Sequence, residues 1–488
     1  MAVRLVRNSL ANIASKVWGI IALYVFVPIW IKFLGVEGYG IISFYTILMT
    51  IIHFADMGLS ATLTREFARE STDLEYRGKL LRTFELVYFA IALLVFVVLF
   101  FGSGFIVDAF LKSDTVPRET LIRHMRLMAG IVSVNFIFLL YIGGLAGLQK
   151  QVLSNTLTIS YSFSRSVLVL IPLALVPKVG TFLIWQLFSL VVIFFITRHL
   201  LWKAVRTEGT QYGFHPELFR TLWKFSLGMM LMSLISALNT QLDKLITGHL
   251  LDLRSLGYYS LAATVGQAVY YIVGPIGQAF YPELTRMISV GEREQSRKQF
   301  LLYSYIVAVI AGAIGLTLIF YMPEFLSIWT GKSEAVPMII VPATFLVVAY
   351  IFVSFQTPPY FLALAEGNIK INTLLCLIQG LIIIPGVWIL TRDMGLRGTA
   401  IPYCVVNIAA TFVLAILVFR KFMPGVTWAW FMRTFLPLLG MLPVVGLGHY
   451  AICHLFESDM LRLCFGALLG AALMGVLAIP IFRNLRKK

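Results

Sequence analysis

Lys16, Arg165 and Lys244 are basic side chains set inside stretches that are otherwise apolar. Asn8, Asn12 and Lys16 recur at every fourth position, which on a helix makes one polar stripe. Thr158, Tyr161 and Ser162 precede Arg165 by one or two turns. Asp243 adjoins Lys244, so the two point about 100° apart around a helix. Asn239 stands one turn before Asp243, and Thr240 one turn before Lys244. His53 and Asp56 fall near the end of a further apolar stretch. Arginine offers a planar fork of donors matched to phosphate-type oxygens, and lysine a compact charge. Gathered around one recess, they could hold an anion. Each has a plainer alternative. Lys16 is near enough to the end of its stretch to snorkel. Asp243 and Lys244 could pair across a helix interface, for structure or gating, and Asp56 could be a helix-end contact. Arg165 is too central to snorkel, and Asp243 is the one acidic residue placed near mid-stretch.

The elements that must carry these residues follow from composition. Of 488 residues, 59% are hydrophobic and 13% charged, whereas soluble chains carry about 45–50% and about 25%. That excludes a water-soluble enzyme, a disordered chain and a nucleic-acid-binding domain. Fourteen apolar segments are expected, at about 11–33, 40–62, 81–107, 123–147, 152–176, 181–200, 225–250, 256–281, 300–322, 337–362, 371–391, 397–419, 434–455 and 460–482. The fold class is therefore an all-α polytopic membrane protein with about fourteen spans. The net charge of +16 is read topologically. With both termini in the cytoplasm, the tails and even-numbered gaps, with their flanks, hold 25 of the 39 Lys and Arg. Lys112, Arg118, Arg123 and Arg126 are the exception, in an outside gap. Cys376, Cys404, Cys453 and Cys464 read as small buried apolar residues. No Walker motif is present, and no His/Cys/Glu cluster stands at metal-ligand spacing, so neither an ATPase nor a metal site is expected.

The chain repeats itself about 220 residues apart. Gly38-Tyr39, Leu63-Thr64-Arg65 and Asn155-Thr156-Leu157 return as Gly257-Tyr258, Leu284-Thr285-Arg286 and Asn372-Thr373-Leu374. Six spans separate equivalent points, so the repeat is parallel. The expected domains are six-helix bundles at 1–215 and 216–430, then spans thirteen and fourteen with a basic tail at 431–488. Asn135, Gln186, Gln241, Gln267, Gln278, Gln356, Asn372, Gln379 and Asn407 suit sugar hydroxyls or, more simply, interhelical hydrogen bonds. Pro358-Pro359 is the kink best placed to gate.

The stretch Leu242-Asp243-Lys244-Leu245-Ile246-Thr247-Gly248, followed by Leu256-Gly257-Tyr258-Tyr259-Ser260-Leu261-Ala262, resembles the signature of Wzx-type polysaccharide-transport flippases. Phe33-Leu34-Gly35, Gly38-Tyr39-Gly40, Phe54-Ala55-Asp56-Met57-Gly58-Leu59 and Tyr281-Pro282-Glu283-Leu284-Thr285-Arg286 resemble further parts of that family, which belongs to the multidrug/oligosaccharidyl-lipid/polysaccharide exporter superfamily. The resemblance implies two bundles around a central cavity, alternating access, and passage of polyprenyl-diphosphate-linked oligosaccharide, such as an O-antigen unit of lipopolysaccharide, to the outer leaflet. It implies a bacterial or archaeal cytoplasmic (inner) membrane and other polysaccharide-assembly proteins as partners. On this reading Arg165, Lys16, Lys244, Asn12 and Asn239 bind diphosphate and sugar. Asp243, Asp56 and Pro358 serve coupling or gating. No cofactor is needed beyond a coupling proton or sodium ion. Two alternatives stay open: a cation-coupled multidrug exporter of the same superfamily, and a membrane glycosyltransferase or polymerase using Asp108, Asp114 or Glu119. Three intramembrane cations with little intramembrane acid favour an anionic cargo.

Overall fold

Gly35 ends the first span without a loop. Its φ of 74° and ψ of 173° lie in a region open in practice only to glycine, and the helix α1 (Ala2–Ala68) bends there and continues. Glu37, just past the bend, accepts hydrogen bonds from the Ser113 and Thr115 hydroxyls. The expected six-residue outside gap is therefore a helical corner, held by the third gap.

The computed structural model describes residues 2–69, 73–206, 212–218, 240–331 and 335–485, with positions 220 and 233. After α1 come α2 (Leu74–Phe101), α3 (Ser103–Phe110), α4 (Arg118–Gly147), α5 (Gln151–Phe163), a π-helical turn (Ser164–Leu168), α6 (Leu170–Leu175), α7 (Val179–Val205) and α8 (240–250). Then follow α9 (Leu253–Ser289), α10 (Arg293–Phe320), α11 (Met322–Thr330), α12 (Val336–Ala365), α13 (Ile369–Met394), α14 (Leu396–Thr399), α15 (Ile401–Phe422), α16 (Thr427–Leu455) and α17 (Asp459–Leu485). No strand occurs among the described residues. Eleven described helices are long and apolar enough to cross a membrane. The first of these, Ala14–Asp56, holds two expected spans. The eighth expected span is the long helix α9, and most of the seventh lies outside the described residues. The protein is an all-α polytopic membrane protein. Its outward helix faces carry apolar side chains such as Leu93, Leu94, Ile171, Leu175 and Leu381, as a lipid solvent requires.

Helices group into two compact units, Met1–Gly257 and Tyr258–Lys488. In the first, α4 packs centrally against α1, α2 and α7, and Tyr45, Tyr88, Tyr141 and Phe136 are fully buried there. Close approach is set by glycine: a Cβ on Gly40 would stand 2.1 Å from the Leu253 carbonyl oxygen. In the second unit, α12 packs on α15 and α10, while α16 and α17 lie against α10.

Three of the four basic residues around the third gap have a local use. Lys112 donates to the His249 carbonyl at the end of α8, 2.6 Å away. Arg118 grips Asp108 with two bonds of 2.7 Å, and its guanidinium holds that carboxyl below the usual range. Arg126 lies 4.9 Å from the centre of the Phe100 ring. The cysteine expectation holds only for Cys404, which is buried; Cys376 and Cys453 are half-buried and Cys464 is exposed. An apolar thiol needs no protein cover where the surrounding solvent is itself apolar.

Candidate functional site around Arg165

Arg165 lies in the π-helical turn Ser164–Leu168, about 20 Å along the helix from Gln151. A π-turn inserts an extra residue and releases backbone groups from the ordinary ladder, a feature frequent at functional sites. Here α7 takes up those groups. Trp185 Nε1 donates to the Ser164 carbonyl at 3.0 Å, and Gln186 Nε2 to the Arg165 carbonyl at 2.9 Å. The Ser164 and Ser189 hydroxyls are 2.8 Å apart. Gln186, a candidate for sugar hydroxyls, is thus fully buried and supports the turn.

The Arg165 side chain is half-buried. Its guanidinium carbon lies 5.7 Å from the centre of the Tyr161 ring, and its charge acts on Tyr45 and His53 of α1. The Tyr45 and Tyr161 hydroxyls are buried without a well-formed hydrogen bond. His53 Nε2 is 3.2 Å from Asn135 Nδ2, and the imidazole remains exposed. Among the described residues no carboxylate lies within ion-pair distance of Arg165. One cation, the facing Tyr45 and Tyr161 hydroxyls and an exposed imidazole therefore gather inside the apolar belt, which suits an anionic oxygen group.

The other expected residues of this unit lie at other points of α1 and on α8. Asn12 accepts from Asn155 Nδ2 at 2.5 Å and donates to Gln151 Oε1 at 3.4 Å. It ties the first span to α5 about 15 Å from the level of Arg165. Further along, Trp18 stacks near Phe163 at 5.7 Å. Lys16, exposed, lies between these two contacts along α1. Lys244 is half-buried on α8, its Nζ 3.4 Å from Gln241 Oε1 and within the field of Asp243. Asp243 Oδ1 accepts from the Lys244 backbone N–H at 2.8 Å. Asn239 lies outside the described residues. Asp56 is buried and accepts a hydrogen bond from the Tyr88 hydroxyl.

Residues 5–288 match the family model described as polysaccharide biosynthesis protein. The chain belongs to this polysaccharide biosynthesis protein family. A Shigella flexneri protein named "Putative O-antigen transporter" is 23% identical over 380 residues, 76% of this chain and 87% of that protein. Among solved structures, "Lipid II flippase MurJ, inward closed conformation" aligns with a TM-score of 0.74 at 17% identity, covering 98% of this chain and 99% of its own. An inward-facing multidrug resistance MATE transporter of the MOP superfamily aligns at 0.72 and 14% identity, covering 86% and 98%. The chain shares the fold of these membrane proteins.

In this family member, Pro358 sits in a helix that does not break. α12 runs through Pro358 and Pro359, both buried. A proline at 358 leaves the Ser354 carbonyl without its N–H donor. Thr357 Oγ1 donates to that carbonyl at 2.7 Å and itself accepts from the Tyr303 hydroxyl at 3.0 Å. Hydroxyls refilling a proline gap are the usual solution inside lipid. In the same unit, Gln356 and Gln379 both reach Asn407 Oδ1 at 3.3 Å, so these amides bond between helices.

Glu85 is a buried ionic group outside the expected set. Glu85, fully buried on α2, accepts at Oε1 from Tyr141 (2.6 Å), Arg198 (2.8 Å) and Trp202 (3.1 Å). At Oε2 it accepts from Arg82 at 2.7 Å. The available signal was an acidic residue inside the third apolar segment with Arg82 one turn before it; attention to the mid-stretch alone passed it over. The second unit also holds an apolar cavity of ≈ 500 Å³ between α10, α16 and α17, with Arg433 and Tyr305 among its lining.

Proposed function

We propose that this protein is a flippase that moves polyprenyl-diphosphate-linked oligosaccharide from the cytoplasmic to the outer leaflet by alternating access. The observation that carries the reading is Arg165: a guanidinium inside the apolar belt, on a braced π-turn, beside the Tyr45 and Tyr161 hydroxyls. Placing a charge there costs roughly 2.5–3.5 kcal/mol on insertion scales. Such a cost calls for an anion, and no described carboxylate supplies one. A diphosphate does, since its oxygens match the guanidinium fork. Lys16 and Lys244 add positive charge, and Asn12 and Asn239 are the candidate contacts for the sugar. The cavity between α10, α16 and α17 suits part of the polyprenyl tail. Asp56 and Asp243 are the candidates for proton or sodium coupling, and Pro358 for a bending point. The bacterial inner membrane, cytoplasmic termini, an O-antigen-like unit of lipopolysaccharide and partnership with other assembly proteins belong to the same proposal. So does the absence of catalysis.

The test is export of surface polysaccharide at matched expression. Arg165→Ala is expected to abolish it, and Arg165→Lys, which lacks the fork, to restore it in part. Purified protein is expected to bind a polyprenyl diphosphate and leave it chemically unchanged. Wild-type export by Arg165→Ala would remove Arg165 from the site; hydrolysis or elongation of the lipid would favour an enzyme. Orientation is checked separately, in a background lacking the native cysteines. Cysteines at Arg77 and Glu294 are expected to be shielded from an impermeant outside reagent, and one at Asp114 to be labelled.

A further inference from the structure

Glu324 is a carboxylate that the transport reading does not use. It stands in the first turn of α11 and is only 6% exposed. Its Oε2 has no hydrogen-bond partner. Among the described residues no basic side chain lies within ion-pair distance of it. Arg462 is nearby, but its Nε and Nη2 donate to the Phe456 and Cys453 carbonyls, at 2.8 and 3.3 Å, and its Nη1 lies 3.8 Å from Asp459. A buried carboxylate left in this state is costly.

What faces it is a histidine and a cysteine. His449 and Cys453 are four residues apart on α16, hence on one face. Cys453 Sγ lies 3.9 Å from Glu324 Oε1 and 3.6 Å from His449 Nε2. One ligand atom from each of the three residues falls within 4.8 Å of the other two. The Tyr321 ring meets the imidazole edge-on, with centroids 4.7 Å apart, and fixes its plane. In a tetrahedral zinc site, bonds of about 2.0–2.3 Å put neighbouring ligand atoms roughly 3.3–3.8 Å apart. The edges at the sulfur are already near that length.

We propose that Glu324, His449 and Cys453 form a binding site for a divalent transition metal, which clamps α11 to α16. The donor set selects the ion. A thiolate with an imidazole suits zinc and is foreign to calcium or magnesium, which prefer all-oxygen shells. Three protein ligands leave a fourth position for water, so the site exchanges its metal more readily than a four-cysteine site would. On the proposed orientation these parts of α11 and α16 lie toward the outer face, where the medium supplies the metal. Sequence spacing did not show it, because the third ligand comes from a helix 125 residues before His449.

The test uses the full-length protein in nanodiscs, stripped with EDTA and equilibrated with micromolar zinc sulfate. Close to one zinc per chain is expected by mass spectrometry, with a rise in thermal midpoint. Glu324→Gln, His449→Ala and Cys453→Ser should each lose most of the metal, while Cys464→Ser and His454→Ala retain it. Cobalt(II) provides a second readout in the unmodified protein: a thiolate-to-metal charge-transfer band, lost in Cys453→Ser and kept in Cys464→Ser. Substoichiometric zinc in the wild type, absence of the band, or binding indifferent to all three substitutions would overturn the proposal. None of these results depends on what the protein transports.

Discussion

Glu85 and Arg165 are both ionic groups inside apolar helices of the first unit, and their surroundings differ at every point. Glu85 is fully buried and accepts four hydrogen bonds, two of them from guanidinium groups. Arg165 is half-buried, with a ring, two hydroxyls and an imidazole around it. Its backbone is braced as firmly as the Glu85 side chain, but the guanidinium itself lacks a countercharge among the described residues. A group whose every valence is matched holds helices together. A group whose scaffold is fixed while its charge is unmatched is prepared for something that comes and goes.

Four substitutions sharpen or break that contrast, read as the unfolding free energy or thermal midpoint of purified protein. Glu85→Ala should have the largest effect, a loss of about 3–5 kcal/mol, because it leaves two arginines facing each other without their carboxylate. Little change would mean that the cluster is not a staple. Tyr88→Phe should cost about 1–3 kcal/mol, by removing the Tyr88 donor from the buried Asp56 carboxyl. Gln186→Leu should cost about 1 kcal/mol, since it frees the Arg165 carbonyl within the π-turn; export should fall further than stability, because the guanidinium loses its bracing. Arg165→Met should have the smallest effect on stability, near zero or slightly favourable, since it removes an uncompensated buried charge. A large loss with Arg165→Met would erase the distinction and make Arg165 structural.

The spans were largely legible in the sequence because lipid imposes a length and an apolarity on each. Arg165 was legible for the same reason, as a charge where charge is expensive. Its π-turn was not, since Ser164–Leu168 carries no residue that demands one; the turn depends on Trp185 and Gln186 arriving from α7. Gln186 itself could be sorted between sugar contact and helix contact only once its partner was known. Glu85 sits toward the end of its segment, where an acidic residue looks ordinary, and its four partners come from three helices. Between the segments 11–33 and 40–62 the sequence predicts a short connection, where the structure has the corner at Gly35. A glycine before Val36-Glu37-Gly38 announces a turn, but not that both flanking helices run into it.

The π-turn also bears on how this chain is compared with others. Each α-helical residue advances the azimuth by about 100°, so one inserted residue puts α5 and α6 out of phase by about that angle. A relative lacking the insertion would have the same sequence before and after it, yet would direct the side chain at this level elsewhere. A single-residue gap between 164 and 168, easily dismissed as alignment noise, would thus mark a change of recognition chemistry. Deleting one residue there should straighten the helix and turn Arg165 away from Tyr45, even though every residue named in the site is still present.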